Sequence, residues 1–443
     1  MIIEMPTKAK EIINRINEAG YEAYIVGGCV RDCLLGRIPN DWDITTSADP
    51  YTVKELFRRT IDTGLKHGTV TVLMGDEQYE VTTYRIDGDY TDGRHPDSVT
   101  YTRQLSEDLK RRDFTINAMA YHPENGLVDL FDGKKDLESG VIRCVGTAVD
   151  RFNEDALRMM RAIRFAAQLG YTIEEETYNA IIELHDNLGK ISAERVRVEM
   201  EKLLVSDHPY MFKLFYDTKL TSVFMPEFDR AMATKQNHPH HMYDVGEHIL
   251  HSLEHSENDR VIRLSMLFHD IAKPNMIEID EAGITHFKGH PAVSGKMARE
   301  IMRRLKYDNV TVDLVSELAT YHDRHIEEDT RGVRRALNKL SDGAFPLLLK
   351  VKYADVMAQS DYMREEKLAS IARLKDIYEE VLASNECFKL SDLKVKGKDL
   401  IAIGITPGPT LGIILNKMLE DVLENPEHNS TEYLLGNLDE YRA

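Results

Sequence analysis

The chain has few cysteines, no long apolar run and less positive than negative charge. Four cysteines among 443 residues exclude a disulfide framework, and Cys29 and Cys33 are one residue too far apart for a CxxC pair. A membrane-spanning helix needs about 18 or more consecutive apolar residues, and no such run occurs. The first twenty residues have the pattern of an amphipathic helix rather than a signal peptide. We therefore expect a soluble, cytoplasmic protein without a thiol-based function.

The charge balance argues against indiscriminate nucleic-acid binding. There are 56 Lys+Arg against 75 Asp+Glu, for a net charge of −19, whereas affinity for phosphate backbones comes from concentrated basic residues. Local basic tracks are still present, and each one alone is equally compatible with a solvated surface. They are Lys110-Arg111-Arg112, then Arg158, Arg161 and Arg164 at helical spacing, and Arg331 with Arg334 and Arg335.

The pattern along the chain changes three times. Short β-branched runs alternate with turns up to about residue 145, which predicts an α+β domain over residues 1–146. Long segments of helical periodicity then predict an all-helical remainder. A Pro, Asn and His-rich break near residues 225–237 and another near 384–391 divide that remainder. We place its domains at 147–230, 231–385 and 386–443.

A glycine turn followed by two aspartates forms the first group of candidate site residues. In IVGGCVRD, Gly27 and Gly28 would let backbone N–H groups approach a triphosphate, with Arg31 adding positive charge. In NDWDIT, Asp41 and Asp43 would share one face of a strand. Such a pair can hold two hard cations about 3.5–4 Å apart, as nucleotidyl transfer requires. Glu80, on a neighbouring predicted strand, would be a third carboxylate.

These two segments carry a family resemblance. GGCVRD followed by NDWDIT resembles the active-site signature of the class II tRNA nucleotidyltransferase and bacterial poly(A) polymerase family. The resemblance implies a polymerase-β-like nucleotidyltransferase head that uses Mg²⁺, followed by a helical neck and a tail. RRDFTINAMAY is similar to the ribose-contacting motif of this family, which implies substrate contacts near the sugar and phosphates from Arg111, Arg112, Asp113 and Asn117.

A second group lies in RFNEDALRMMRAIRF. On one helix, Asp155 and Arg158 would share a face, and the plain alternative is an intrahelical salt bridge. Cytosine and adenine both present an amino donor beside a ring-nitrogen acceptor, so an acceptor-only Asp and a donor-only Arg can select them against uracil and guanine. The family uses this EDxxR element to choose nucleotides, and Arg161 and Arg164 extend the same basic face. In ERVRVEMEKLL, which resembles the neck helix, Glu194 and Arg195 are expected to brace the template helix.

Two further segments bear on the substrate. The tail segment DLKVKGKDLIAIGITPGPTLG is similar to the part of the family that grips tRNA, although its glycines also suit a helix-capping turn. The segment RIDGDYTDGRHPDSVTY, residues 85–101, corresponds to a loop that works only in family members able to finish with A. Its presence favours complete CCA addition or A addition.

A third group contains histidines and aspartates in the helical domain 231–385. Imidazole and carboxylate ligands together suit Mn, Fe, Ni, Zn or Mg. The ordered series resembles the HD superfamily of metal-dependent phosphohydrolases. The minimal ligand set is His248, His269, Asp270 and Asp355, while His290 and His322 would allow a second metal. His240, His241, His251, His255 and His325 are expected to be non-ligands.

The sequence therefore predicts an enzyme that adds C, C and A to the 3′ end of tRNA from CTP and ATP without a nucleic-acid template. The appended HD domain would hydrolyse phosphoesters with a divalent metal. Three alternatives stay open: a poly(A) polymerase or A-only enzyme, a phosphohydrolase whose inactive head binds RNA, and a non-enzymatic RNA-binding protein.

Overall fold

A computed structural model describes residues 2–88, 98–384 and 386–442. The chain divides into two compact units, Met1–Pro226 and Glu227–Ala443. The finer division into four domains stays a prediction. Most of the segment 85–101, on which the expectation of A addition rests, lies outside the described residues.

The first unit is built on a seven-stranded mixed sheet. The seven strands are β1 (Ala23–Val26), β2 (Ile44–Thr46), β3 (Thr60–Gly64), β4 (Thr69–Met74), β5 (Glu77–Thr83), β8 (Met119–His122) and β9 (Gly126–Asp129). Their order in the sheet is β3-β4-β5-β2-β1-β8-β9, and β2 pairs with β5 in parallel while the other neighbours are antiparallel. Two-stranded pairs are formed by β6 (Arg85–Asp87) with β7 (Val99–Tyr101) and by β10 (Val141–Ile142) with β11 (Thr172–Ile173).

Alternating side chains explain why the central strands bury one face. In β5, Tyr79 and Val81 are buried while Gln78 and Glu80 are exposed, which is the period-two pattern of a strand with one covered face. In β1, Ala23 and Ile25 are fully buried. The expected α+β character of the region 1–146 is confirmed.

Eleven α-helices lie in the described part of the first unit besides its short 3-10 turns. Over residues 2–146 they are α1 (Thr7–Glu18), α2 (Gly28–Leu34), α3 (Pro50–Leu56), α4 (Leu105–Lys110) and α5 (Gly133–Ser139). The later ones are α6 (Ala148–Glu154), α7 (Leu157–Leu169), α8 (Glu175–Leu184), α9 (Ala193–Leu204), α10 (Lys213–Asp217) and α11 (Thr221–Phe224). Gly133 begins α5 where a side chain could not fit, because a Cβ there would lie 2.2 Å from the Thr115 carbonyl oxygen.

The second unit is almost entirely helical, and α12 (Pro226–Met232) begins at the unit boundary. Its further helices are α13 (Val245–Glu254), α14 (Arg260–Phe268), α15 (His290–Arg304), α16 (Asn309–Tyr321), α17 (Thr330–Lys339), α18 (Ala344–Met357), α19 (Arg364–Ala383), α20 (Gly397–Ala402), α21 (Pro409–Glu424), α22 (Thr431–Gly436) and α23 (Leu438–Arg442). One short hairpin is formed by β12 (Glu278–Ile279) and β13 (Thr285–His286).

The core of the tail and the apolar character of the helices each bear on a sequence prediction. The tail has its own apolar core, in which Val395, Leu400, Met418, Val422 and Leu434 are fully buried. None of the helices within the described residues combines the length and apolar character that crossing a membrane requires.

Candidate functional site

The glycine turn connects β1 to α2 in the first unit. Gly27 has a φ of +82°, a region that favours glycine, and a Cβ there would lie 2.9 Å from Nη1 of Arg112. Gly28 is the first residue of α2. The turn therefore brings backbone and the Arg112 guanidinium together at the end of β1, and a larger residue at position 27 would have a strained φ and would displace that guanidinium.

The two aspartates follow this turn and precede β2. Strand β2 begins only at Ile44, so the expectation that Asp41 and Asp43 lie within a regular strand is wrong in detail. The Val26 amide nevertheless donates to the Asp43 carbonyl oxygen at 3.0 Å, which holds Asp43 beside the end of β1. The regular pairing of β1 with β2 runs from Ala23 and Thr46 to Ile25 and Ile44.

Negative charge is concentrated around Asp43. The pKa of Asp43 is raised to about 6. Burial is the largest cause of this rise, Asp41 and Glu80 add to it, and Arg112 opposes it. Glu80 is an exposed residue of β5, next to Val81, which pairs with Ile44 of β2. Carboxylate oxygens are the ligands that a hard divalent cation prefers, so these residue types suit Mg²⁺.

Arg31, Asn117, Asp113 and Arg161 form one chain of polar contacts. Arg31 Nη1 donates to Asn117 Oδ1 at 2.7 Å, and Asn117 Nδ2 donates to Asp113 Oδ1 at 3.2 Å. Arg161 Nε donates to Asp113 Oδ2 at 2.8 Å. Burial alone would raise the pKa of Asp113, but the charges of Arg161 and Arg158 outweigh it and hold that pKa well below its usual range. The structure thus brings together four of the predicted nucleotide-binding residues.

Asp108 is a residue of this region that the sequence analysis missed. It is fully buried on α4 and accepts hydrogen bonds from Arg111 Nη2 at 2.6 Å and from Thr45 Oγ1 at 3.0 Å. Arg112 Nη2 lies 3.5 Å from Oδ2 of Asp108. The signal was present, because Asp108 precedes the two arginines by three and four residues, the spacing of helical ion pairs.

The predicted base-selecting pair is not on one helix. Asp155 has extended backbone angles and separates α6 from α7, where its Oδ1 accepts from the Leu157 amide at 3.0 Å. Arg195 of α9 donates to Asp155 Oδ2 at 2.7 Å, in keeping with the bracing role expected of it. Arg158 instead contacts Glu154 and donates to the Arg111 carbonyl oxygen at 3.1 Å. The two side chains therefore have separate partners, and their joint contact with a base stays a prediction.

Three arginines surround the ring of Phe165. The guanidinium carbons of Arg31, Arg161 and Arg164 lie 5.1, 5.3 and 3.8 Å from the ring centroid. Such contacts favour a fixed position of the cation over the aromatic face. Arg164 differs from the other two because it is buried and lies 2.6 Å from Oε2 of Glu199 in α9. The structure shows that Arg164 joins α7 to α9, whereas its contact with nucleotide stays a prediction.

Replacing Glu199 with Ala is expected to lower the free energy of unfolding by roughly 3–5 kcal/mol, because a buried arginine would lose its partner. Burial already lowers the pKa of Arg164 to about 10, so the charged form is costly there even with Glu199 present. Urea denaturation measures the change. Glu183→Ala, at an exposed position of α8, is the matched control and should change stability by less than about 0.5 kcal/mol. Equal stabilities of the two variants would contradict this account.

In the second unit, six side chains converge in what we call the histidine–aspartate cluster. It consists of His248, His269, Asp270, His290, His322 and Asp355. They come from α13, the end of α14, the start of α15, the end of α16, and α18. His248 Nε2 lies 3.0 Å from Asp355 Oδ1, and His290 Nε2 lies 3.0 Å from Asp270 Oδ1. Two sets of three ligand atoms, one from His248, His269 and Asp270 and one from Asp270, His290 and His322, each lie within 4.8 Å of one another.

The histidine rings of the cluster are oriented by backbone carbonyl groups. The Nδ1 atoms of His269, His290 and His322 lie 2.7, 2.8 and 2.8 Å from the carbonyl oxygen three residues earlier. His248 Nδ1 lies 3.3 Å from the Ala358 carbonyl oxygen. A carbonyl oxygen can only accept, so each Nδ1 carries a proton and each Nε2 faces the cluster. The donor set therefore fits a divalent metal.

Charge at Asp270 supports the same conclusion. Burial would raise the pKa of Asp270, but His269 and Lys273 lower it well below its usual range, and Lys273 Nζ lies 2.7 Å from Oδ2. Asp270 thus stays anionic, as a ligand must. Among the histidines expected to be non-ligands, His241 has its ring centroid 5.3 Å from that of His248.

The sheet, the glycine turn and the aspartate pair define a nucleotidyltransferase with a polymerase-β-like head. Family models agree along the chain: the poly(A) polymerase head domain matches residues 23–143, the RNA and SrmB-binding site of polymerase A matches 170–232, and tRNA nucleotidyltransferase domain 2 matches 278–438. Among curated relatives, the CCA-adding enzyme of Lactobacillus delbrueckii subsp. bulgaricus is 38% identical over 430 residues, which are 97% of this chain and 96% of that one. The chain belongs to the family of CCA-adding enzymes.

Other relatives cover the chain differently. The CCA-adding enzyme of Lactiplantibacillus plantarum is 58% identical over 201 residues, so the match spans 45% of this chain and about half, 49%, of the relative. The solved Bacillus stearothermophilus CCA-adding enzyme in complex with CTP is 31% identical with a TM-score of 0.72, and the match covers 98% of both chains. The Thermotoga maritima CCA-adding enzyme complexed with tRNA is similar in fold, with a TM-score of 0.60 over 98% of this chain and 96% of that one, at 22% identity.

Proposed function

We propose that this protein adds C, C and A to the 3′ end of tRNA, using CTP and ATP, Mg²⁺ and no nucleic-acid template. The observation that carries the proposal is the match over 98% of both chains to an enzyme solved with CTP, combined with the carboxylate group around Asp43. The tail, residues 386–443, would grip the tRNA.

The chain's own residues would divide the work of nucleotidyl transfer. Asp41 and Asp43, with Glu80 beside them, would hold Mg²⁺, which when bound activates the attacking hydroxyl and neutralises charge on the triphosphate. The turn at Gly27 and Gly28 admits the triphosphate close to the backbone, next to the Arg112 guanidinium. Catalysis would consist mainly of positioning and charge neutralisation.

Arg111 and Arg112 are fixed for this task by Asp108, and Arg31 is fixed by Asn117. Held guanidinium groups lose less side-chain entropy when they bind phosphate or ribose. The network from Arg31 to Arg161 would therefore act as a pre-formed wall of the nucleotide site.

Base choice would depend on Asp155 and Arg158. Asp155 offers carboxylate oxygens that only accept, and Arg158 offers only donors, the pattern that cytosine and adenine complement. Arg195 holds Asp155 at 2.7 Å and so fixes the acceptor. Discrimination against UTP and GTP would come from polar groups left unpaired beside the wrong base.

Arg158→Ala is expected to reduce the preference for CTP over UTP by about 10-fold or more, since a charged hydrogen bond contributes roughly 1.5–3 kcal/mol. Arg195→Ala should reduce it in the same direction by freeing Asp155. The measurement is the ratio of kcat/KM for the two nucleotides on tRNA lacking its terminal CCA. Lys202→Ala, at an exposed position of α9, should leave the ratio unchanged. An unchanged ratio in Arg158→Ala would disprove this role.

The decisive experiment is incorporation into trimmed tRNA with each nucleotide supplied separately. Two cytidines should be added from CTP alone, and A only after them. Incorporation of A alone, without C, would identify a poly(A) polymerase or an A-only enzyme instead. Failure of all incorporation, with phosphate hydrolysis intact, would indicate a phosphohydrolase whose head only binds RNA.

We further propose that the histidine–aspartate cluster belongs to an HD-type phosphohydrolase. The supporting observations are the convergence of six potential ligands from five helices and the Nε2 atoms that face the cluster. Mn, Ni, Fe or Mg would suit these ligands. The substrate would be a cyclic or terminal phosphate on damaged tRNA ends. Opening of the cyclic phosphate to a phosphomonoester, or release of a terminal phosphate, dependent on added metal, is the test.

A further inference from the structure

Phe165 of α7 packs beside the candidate nucleotide site of the first unit. Its ring meets that of Phe114 edge to face, with centroids 5.8 Å apart and an interplanar angle of 80°. Phe114 directly follows Asp113, whose Oδ1 accepts from the Phe114 amide at 2.8 Å. Asn117, which bonds both Asp113 and Arg31, belongs to the same segment. The ring therefore packs against the segment that carries two of the predicted nucleotide-binding residues.

Each of the three arginines around this ring is paired with a carboxylate of its own. The pairs are Arg31 with Asp32 at 2.8 Å, Arg161 with Asp113 at 2.8 Å, and Arg164 with Glu199 at 2.6 Å. The arginines nevertheless repel one another. Burial lowers the pKa of Arg164 to about 10, Glu199 opposes that shift, and the charges of Arg161 and Arg31 add to it. The group that all three cations share is the aromatic ring, whose faces carry negative partial charge.

The three arginines differ in how much of their surface is available to a nucleotide. Arg164 lies nearest to the ring centroid, at 3.8 Å, and its side chain is only 8% exposed, so it serves to fix the ring. Arg31 and Arg161 lie farther away, and their side chains are 12% and 34% exposed. Arg161 is four residues before Phe165 on α7, whereas Arg31 belongs to α2. The ring thus joins two accessible cations that come from different helices.

Resting on the proposed nucleotidyl transfer, we infer that Phe165 is a positioning residue for nucleotide binding. Its ring holds the guanidinium groups of Arg31 and Arg161 in place, so both cations are ordered before CTP or ATP arrives. Side chains that are ordered in advance lose less entropy on binding. Because Phe165 acts through these arginines and not on the base, it supports CTP and ATP binding equally and leaves base choice unaltered.

The test changes the charge distribution of the ring with little change in its shape. In the full chain, Phe165 is replaced with monofluorinated and with trifluorinated phenylalanine, because ring fluorines withdraw electron density from the face that attracts the cations. Phe152, a fully buried ring of α6 in the same unit, carries the same replacements as the matched control. Calorimetry measures the Kd of CTP and of ATP with Mg²⁺ and without tRNA, so this readout does not depend on turnover.

Affinity for CTP and for ATP should fall with the degree of fluorination, by about tenfold for the trifluorinated ring, as expected for the loss of a desolvated cation–π contact. The melting temperature should stay that of wild type, and the Phe152 replacements should change neither affinity. In steady-state kinetics, Phe165→Leu should raise KM for both nucleotides more than it lowers kcat. The ratio of kcat/KM for CTP over UTP should stay constant.

Unchanged or tighter binding by the trifluorinated Phe165 protein would overturn the positioning role. Equal losses in the Phe152 control, or a changed ratio of CTP over UTP, would overturn it as well, because the effect would then not act through the two arginines. Failure of wild type to bind CTP and to extend trimmed tRNA would instead overturn the proposed nucleotidyl transfer.

Discussion

Replacing Asp43 with Asn is expected to reduce nucleotide incorporation into trimmed tRNA at least about 1,000-fold, because a metal ligand contributes several kcal/mol to the transition state. Asn has nearly the same volume as Asp, and it removes the negative charge at position 43, which the neighbouring Asp41 and Glu80 disfavour. Incorporation of CTP under single-turnover conditions measures the loss. Hydrolysis at the histidine–aspartate cluster should be unaffected.

The matched control for this variant is Asp62→Asn, which removes a carboxylate from β3 of the same sheet. Asp62 is exposed and pairs with Lys54 at 2.8 Å. Exposed pairs of this kind contribute about 0–1 kcal/mol, so activity and stability should stay near those of wild type. If Asp43→Asn retained substantial incorporation, or if both variants lost it equally, the proposed magnesium site would be refuted.

His269→Ala is expected to have the opposite effect on the two activities. The variant loses one ligand from the cluster, so binding of Mn²⁺ should weaken by at least about 10-fold to 100-fold and phosphoester hydrolysis should fall to background. Nucleotide incorporation should persist. Calorimetric titration with Mn²⁺ and phosphate release on a damaged-end tRNA measure the two effects.

His251→Ala is the corresponding control, because His251 lies on α13 with His248 but bonds Glu254 at 2.9 Å and stacks on Tyr243. Its removal should leave metal binding and hydrolysis intact. Loss of both enzymatic activities in a folded His269→Ala protein would contradict the division of labour between two sites.

The architecture of the head could be predicted because its signals are local. Short alternating runs separated by glycine turns indicated strands, and they lie in one sheet. The beginning of β2 could not be predicted, since Asp41 and Asp43 follow the period of a strand but lie before its paired residues. Local pattern identifies an element, whereas tertiary pairing sets where it starts.

Partners far apart in the chain were the least predictable part of the sites. Asp155 and Arg158 have helical spacing, yet the side-chain partner of Asp155 is Arg195, forty positions later in α9. The contact between Arg164 and Glu199 likewise depends on how α7 and α9 pack. The six cluster residues were predicted from a family resemblance, and the structure brings their side chains together; their binding of metal stays a prediction.

Three imidazoles of the cluster take their orientation from within their own chain segment, three positions back. In each of these segments a neighbouring carbonyl group therefore orients the ring, and no contact with a distant part of the chain is needed for that. When the helices pack together, these three histidine side chains then need little change of rotamer. Exchange of whole helices between relatives should accordingly preserve the geometry of these rings, provided that the four residues from each carbonyl to its histidine are moved together.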